Sequence, residues 1–346
     1  MKVNFGLTWL LCLTFLFGCT SSSSDILSSE SDSGSANGSE EHHSDLPNIS
    51  SYPTLLAISV HVEGWPSEQQ NPVKFNQHAA IIIQMAQEAY AAGAVFSFEL
   101  SSQFAMSPNA QAVVNDLLAL GHGVEVHADI GGIGLPSLEK LTNQLTRKYR
   151  QLEALGVTPV LVSGICSRGP FVEAALSAGF FMTTGVIEYC LTSLDQQYQP
   201  EGWDIDSCVS PAECHGNPGF TIPMKARPWK TSSSASWINP DPNGGLMIII
   251  GESGSTVKCL AEVNVIASGC QYENDDIQKY AQLAERYVLH SEENNENRCC
   301  VFSTSMSVGS ALPEGYITDL VRSISWLIDE GRARWATPTQ ILMEYS

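Results

Sequence analysis

Two short runs hold the residue types that bind metal ions or move protons: Ile58-Ser59-Val60-His61-Val62-Glu63-Gly64-Trp65 and Gly121-His122-Gly123-Val124-Glu125-Val126-His127-Ala128-Asp129. In each, an apolar stretch ends in imidazole and carboxylate. Hydrophobic strands finishing in such groups are what an α/β barrel or open α/β sheet presents at its C-terminal rim, where these folds keep their ligands. Strand alternation puts His61 and Glu63 on one face and Val62 on the other. Glu99 ends a second apolar run and Glu252 a later one, so both are candidates for the same bowl. Trp65 and Trp229 fall in expected loops, where an indole can stack on a sugar ring. Arg168, also in a loop, is a candidate partner for substrate.

Positioning these groups requires alternating elements. Strands are expected at Leu55–Val62, Ala94–Leu100, Gly123–His127, Pro159–Ile165, Phe180–Ile187, Leu246–Ile250 and Cys300–Ser305. Helices are expected at Asn76–Ala92, Asn109–Leu120, Ser137–Leu155, Gly169–Ala178, Asp275–Leu289, Gly315–Asp329 and Pro338–Tyr345. In the third helix Leu138, Leu141, Leu145, Tyr149, Leu152 and Leu155 share one face, the pattern of a helix packed on a sheet. Repeated βα units imply parallel strands with helical crossovers, hence an α/β fold: a distorted (β/α) barrel of about seven parallel strands. An irregular stretch rich in Pro, Gly, Ser and Trp interrupts the pattern from Cys190 to about Gly244.

The N-terminus is of another kind. Lys2 precedes an apolar run from Phe5 to Phe17 and then Gly18-Cys19. That run is shorter than the about 20 residues a bilayer span needs, and it reads as a signal peptide over residues 1–18. It resembles a bacterial lipoprotein signal, which implies lipidation of Cys19. Residues 19–52 lack apolar periodicity and are rich in Ser, Gly, Asp and Glu, the composition of a flexible tether. The expected location is the cell envelope, the outer membrane or periplasm where there are two membranes, with membrane contact through the lipid alone. Residues 53–346 then form the barrel domain.

A formal charge of −20 over 346 residues argues against nucleic acid, because phosphate binding needs clustered Lys and Arg. Eight cysteines follow Cys19, and an even number in an exported chain reads as disulfides, with Cys208/Cys214 and Cys259/Cys270 as closures of local loops. No Gly-x-Ser-x-Gly elbow and no dinucleotide fingerprint occur, which removes serine-hydrolase and nucleotide-binding readings.

In its order of motifs the chain resembles the polysaccharide deacetylase (NodB-homology) family of carbohydrate esterases from about Leu55 to Tyr345. The resemblance rests on Val95–Leu100, the helix around Ala112–Leu120, Gly121-His122-Gly123-Val124-Glu125-Val126-His127, the helix before Gly156-Val157-Thr158-Pro159, Ala174–Phe180 and Trp335-Ala336-Thr337-Pro338. It implies a divalent metal, zinc in many members, held by one Asp and two His, with a neighbouring Asp as base. Where the family has Asp-Asp-Gly, this chain has Val62-Glu63-Gly64. Anchored on Gly64, Glu63 takes the place of the metal-binding acid; shifted by one residue, His61 stands in for the base. His127 matches the first histidine of the second motif, Gly131 stands where the second is expected, and Asp129 is the nearest substitute. The implied set is therefore Glu63, His127 and Asp129 as ligands, with His61 and Glu63 as catalytic groups. Ser303-Thr304-Ser305-Met306 lacks the family's late histidine, and Ser163–Arg168 replaces its Arg-x-Pro-Tyr. The expected function is metal-dependent removal of acyl groups, acetyl above all, from a carbohydrate. The alternative is a non-catalytic carbohydrate-binding lipoprotein on the same fold, and a glycosidase using Glu63 with Glu99 or Glu252 ranks third.

Overall fold

In a computed structural model of the chain, the described residues are 52–131, 134–208, 214–252, 257–260, 273, 275–294, 300–308 and 312–346, all within the unit Leu46–Ser346. The signal segment, Cys19, the Ser-rich tether and the Cys259–Cys270 pairing lie outside them. No described helix is long and apolar enough to cross a membrane.

Nine strands form one sheet: β1 (Thr54–Val62), β2 (Ser97–Leu100), β3 (Gly123–His127), β4 (Leu161–Ser163), β5 (Met182–Thr183), β6 (Trp229–Thr231), β7 (Leu246–Ile248), β8 (Val301–Ser307) and β9 (Ala333–Trp335). Their order is β6-β7-β5-β4-β3-β2-β1-β8, with β9 also on β1. The seven strands from β7 to β8 along this path are parallel, and only β6 runs antiparallel, against β7. The sheet curls into the distorted (β/α) barrel that the βα alternation predicts. Its two ends meet where the Glu252 N–H donates to the Ser303 carbonyl at 2.8 Å. Gly251 permits this approach: its φ is +53°, and a Cβ there would strike the Ser303 carbonyl oxygen.

Alternation along β1 shows how the interior is built. Leu56, Ile58, Val60 and Val62 enter the core between sheet and helices, together with Phe98, Val124 and Val126. Leu55 and Ala57 point the other way, into a smaller core with Leu161, Met182, Met247, Val301 and Ile341. Ile341 belongs to the helix Pro338–Tyr345, which plugs the N-terminal end of the barrel. Toward the other end the same inward-facing row becomes Ser59 and His61, so the interior changes from apolar to polar as it approaches the rim.

The helices begin where local chemistry can satisfy free N–H groups. Asn71 accepts from Val73 N–H and Lys74 N–H to start Pro72–Ala91, and Ser137 accepts from Lys140 N–H to start Leu138–Glu153. The expected helix Gly315–Asp329 is instead two, Tyr316–Arg322 and Ser325–Asp329. Ser323 Oγ donates back to the Leu320 carbonyl at 2.7 Å at the break, a bond that bends helices. Cys166 pairs with Cys190 and Cys208 with Cys214; the first pairing joins segments that sequence spacing does not relate.

Candidate metal centre

The bowl at the C-terminal end of the strands takes one residue from each of four neighbouring strands. His61 lies opposite Glu99 in the β1–β2 register, and His127 opposite Ser163 in β3–β4. His61, Glu99 and His127 each offer a ligand atom within 4.8 Å of the others. The two imidazoles stack, with centroids 4.5 Å apart. His61 Nε2 is 3.3 Å from Glu99 Oε2, yet both atoms are buried without an aligned hydrogen bond. Two buried polar atoms that are close but poorly aimed at each other suit a shared third partner. Donors of this type, two imidazoles and a carboxylate, fit zinc or a similar divalent ion.

Ser163 supports two of the three. Its Oγ is 2.8 Å from His127 Nδ1, and it and Ser59 help hold the Glu99 carboxyl below its usual range; Thr184 Oγ1 donates to Glu99 Oε1 at 3.3 Å. Burial disfavours charge on both His61 and Glu99, but each charge stabilises the other. The result holds His61 above the ordinary imidazole range and Glu99 below the ordinary carboxylate range.

Glu63 sits just outside this group. Its Oε1 is 3.0 Å from His127 Nε2, and its side chain is 48% exposed. The His127 hydrogen bond keeps its carboxyl below the usual range against partial burial, so it is an anion in contact with water. Val62, fully buried in the outer core, takes no part.

Asp129 does not join the ligand group. Hydrogen bonds from Ala128 N–H to Ser163 O and from Ile130 N–H to Gly164 O continue the β3–β4 pairing on either side of it. The residue is exposed in a left-handed turn, φ +44°. Gly164, at φ +65°, makes the turn possible, since a Cβ there would lie 2.8 Å from Asp129 N and 3.2 Å from His127 Cε1. The carboxylate clustered with the two imidazoles is that of Glu99.

The remaining candidates divide. Trp65 is half-buried, lies flat on His78 at 4.6 Å, and its carbonyl accepts from the Gln103 amide. Arg168 is exposed on the loop after β4. A recess of about 230 Å³, lined by Ile130, Leu135, Pro136, Lys140 and Ser167 among others, opens beside it. Glu252 is buried and committed to Lys225 Nζ (2.7 and 2.8 Å) and the Tyr287 hydroxyl (2.9 Å). Trp229 packs against Trp237 and donates its indole N–H to the Trp237 carbonyl at 2.7 Å. Both side chains spend their polar atoms inside the fold. His122 is structural as well, its ring nitrogens bonded to Phe96 N–H and the Ala86 carbonyl.

Sequence reasoning missed three groups. Ser163 carried no signal beyond its place at a strand end. Glu125, opposite Glu99 in the β2–β3 register, accepts from Val160 N–H and Leu161 N–H at 2.8 Å each; burial pushes its carboxyl up to about 8. His215, from the irregular stretch, lies near enough for its charge to act on Glu63. Its position beside Cys214 was the available clue.

No protein-family model and no curated protein matches this sequence. Among solved structures, Puue allantoinase aligns over 88% of this chain and 98% of its own, with 11% identity and a TM-score of 0.52. A putative polysaccharide deacetylase from Mycobacterium smegmatis covers 84% of this chain and 90% of its own at 11% identity, TM-score 0.49. A probable polysaccharide deacetylase from Pseudomonas aeruginosa PAO1 covers the same shares at 12% identity, TM-score 0.49. The chain thus has a fold like that of Puue allantoinase, at very low sequence identity.

Proposed function

We propose that this chain is an envelope lipoprotein whose barrel is a metal-dependent hydrolase, removing acyl groups, acetyl foremost, from a carbohydrate. The observation that carries the reading is the convergence of His61, Glu99 and His127 at the barrel rim, within 4.8 Å of one another. These three would hold the ion, a different set from Glu63, His127 and Asp129. A divalent ion held there would supply a bound water of pKa about 7 and would polarise the acyl carbonyl.

The chain's own residues do the rest. With Nδ1–H donated to Ser163 the ring is fixed, and Nε2 would exchange its contact with Glu63 Oε1 for the ion. Glu63, anionic and half-exposed beside that nitrogen, takes the proton from water. Trp65 at the same rim offers a partly covered aromatic face, the surface on which sugar rings stack. Residues 1–18 are removed, Cys19 carries lipid and the tether of residues 19–52 spaces the domain from the membrane; Cys19→Ala should release the protein in soluble form.

The test uses purified full-length protein. One zinc or similar ion per chain, hydrolysis of acetylated sugar oligomers, and loss of both in His127→Ala with the fold intact are the expected results. Absence of bound metal would reject the reading. Metal and glycan binding with no hydrolysis would select the non-catalytic alternative.

A further inference from the structure

The recess beside Arg168 takes no part in the proposed reaction, yet its walls are firmly held. They come from the segment after β3, the first turns of the helix Leu138–Glu153 and the segment after β4. These pieces pack closely: a Cβ on Gly131 would lie 2.9 Å from the Cys166 carbonyl oxygen, and one on Gly169 would lie 2.6 Å from that of Pro136. Cys166 is fixed further by its disulfide to Cys190. The recess also adjoins the metal centre. Ile130 N–H donates to the Gly164 carbonyl at 2.9 Å, and Gly164 lies against the His127 ring, where a Cβ would come within 3.2 Å of Cε1.

The lining offers two kinds of chemistry. Ile130, Pro136 and Leu141 form an apolar wall, while Lys140, Gln144 and Ser167 bring polar ends to it, the mixture that grips a ligand face and fixes its orientation. Ser167 is 1% exposed; its Oγ accepts from Gly169 N–H at 3.2 Å, which leaves its own proton to donate. The side chains of Lys140 and Gln144 make no hydrogen bond or ion pair with another described residue. No carboxylate lines the recess, although the chain carries a formal charge of −20. Of the acids nearest in sequence, Asp129 acts on Lys148 and Glu139 is exposed. At about 230 Å³ the recess falls below the about 300–1,000 Å³ of pockets that enclose a whole drug-sized ligand. It suits one sugar ring.

Building on the hydrolase reading, we propose that this recess is a subsite for a carboxylate-bearing sugar, a hexuronate, next to the acylated unit at the metal centre, so that the substrate is an acidic acylated glycan. Lys140 meets the carboxylate, Gln144 and Ser167 meet hydroxyl groups, and the apolar wall covers the C–H face of the ring. A lone ammonium among neutral donors matches the single charge of a carboxylate; phosphate sites gather several backbone N–H groups or arginines.

The experiment uses the full-length protein with the trimer of galacturonic acid and the neutral galactose trimer as probes. Three forms are compared: wild type, Lys140→Gln, and Lys279→Gln, which removes an exposed cation on the helix Asp276–Glu293. A charged hydrogen bond partly open to water contributes about fivefold or more in affinity. Calorimetry should therefore show the uronate trimer binding wild type at least about fivefold more tightly than the neutral trimer. Lys140→Gln should remove that preference and Lys279→Gln should keep it. In methyl NMR spectra of the wild type the uronate trimer should shift Ile130 and Leu141, a readout independent of any variant's folding and of turnover. Equal affinity for the two trimers, a preference that survives Lys140→Gln, or shifts confined to residues outside the recess would overturn the inference while leaving the hydrolase reading intact. Uronate binding that depends on Lys140 in a wild type that holds no zinc would support the subsite and reject the hydrolase reading.

Discussion

Glu125→Gln is the most quantitative probe of the barrel interior. Glu125 is 3% exposed, and its Oε2 accepts two backbone N–H groups from the start of β4. Those bonds favour the carboxylate, but burial opposes it more strongly, Glu99 adds repulsion, and the pKa rises from 4.5 to about 8. The folded protein therefore holds a proton here that the unfolded chain releases near pH 4.5. The sign follows: the contribution to stability is fully present below the unfolded pKa and is lost as pH rises through the folded one. Between pH 5 and pH 8 the loss is about 3–4 kcal/mol, at about 1.4 kcal/mol per pH unit over most of that span. Glutamine keeps the shape and the accepting oxygen and cannot ionise. Urea unfolding of metal-free wild type and variant, followed by tryptophan fluorescence at both pH values, should show the variant spared that loss. Parallel pH dependences, within about 1 kcal/mol, would refute the assignment of Glu125 as a buried neutral acid.

Three further outcomes are expected. Ser163→Ala removes the hydroxyl that serves both His127 and Glu99 and should weaken zinc affinity by about 10–100-fold, read by competition with a chelating dye; unchanged affinity would count against its supporting role. Against the lowering effect of burial, Glu99 raises the His61 imidazole above its ordinary range, so zinc affinity should fall as pH falls through the imidazole range. Calorimetry in buffers of different ionisation heat over that range checks this, and an affinity independent of pH would count against His61 as a ligand. The double change Cys208→Ser with Cys214→Ser opens a disulfide of sequence separation 6 and should cost about 2 kcal/mol by the chain-entropy relation, measured by denaturant unfolding in non-reducing buffer.

What the sequence determined by itself was local. Inward and outward sides of β1, the helix whose leucines recur at three- and four-residue steps, and the closing helix Pro338–Tyr345 are all written in periodicity, because side-chain direction along a strand or helix repeats with the backbone. Repeated βα units also sufficed for a parallel barrel, since only crossover helices can return the chain for parallel pairing. The short strands β6 and β9 were illegible because, unlike the equally short β4 and β7, each carries a cation and lies in no longer apolar run.

Which groups meet was decided by tertiary structure. Asp129 is two residues from His127 in the chain but sits exposed in a left-handed turn, outside the clustered group. Glu99 is far along the chain from both His61 and His127 yet becomes their neighbour, because β2 lies between β1 and β3 and register aligns it with His61. Glu252 looked like a rim acid until folding delivered Lys225 and Tyr287 to it. The segment around His215 is tied to the end of β4 through the Cys166–Cys190 disulfide and the backbone bonds of Glu188 and Tyr189 to Gly216 and Cys214. Periodicity fixes which way a side chain points from its own strand; curl, register and cross-links fix what it points at.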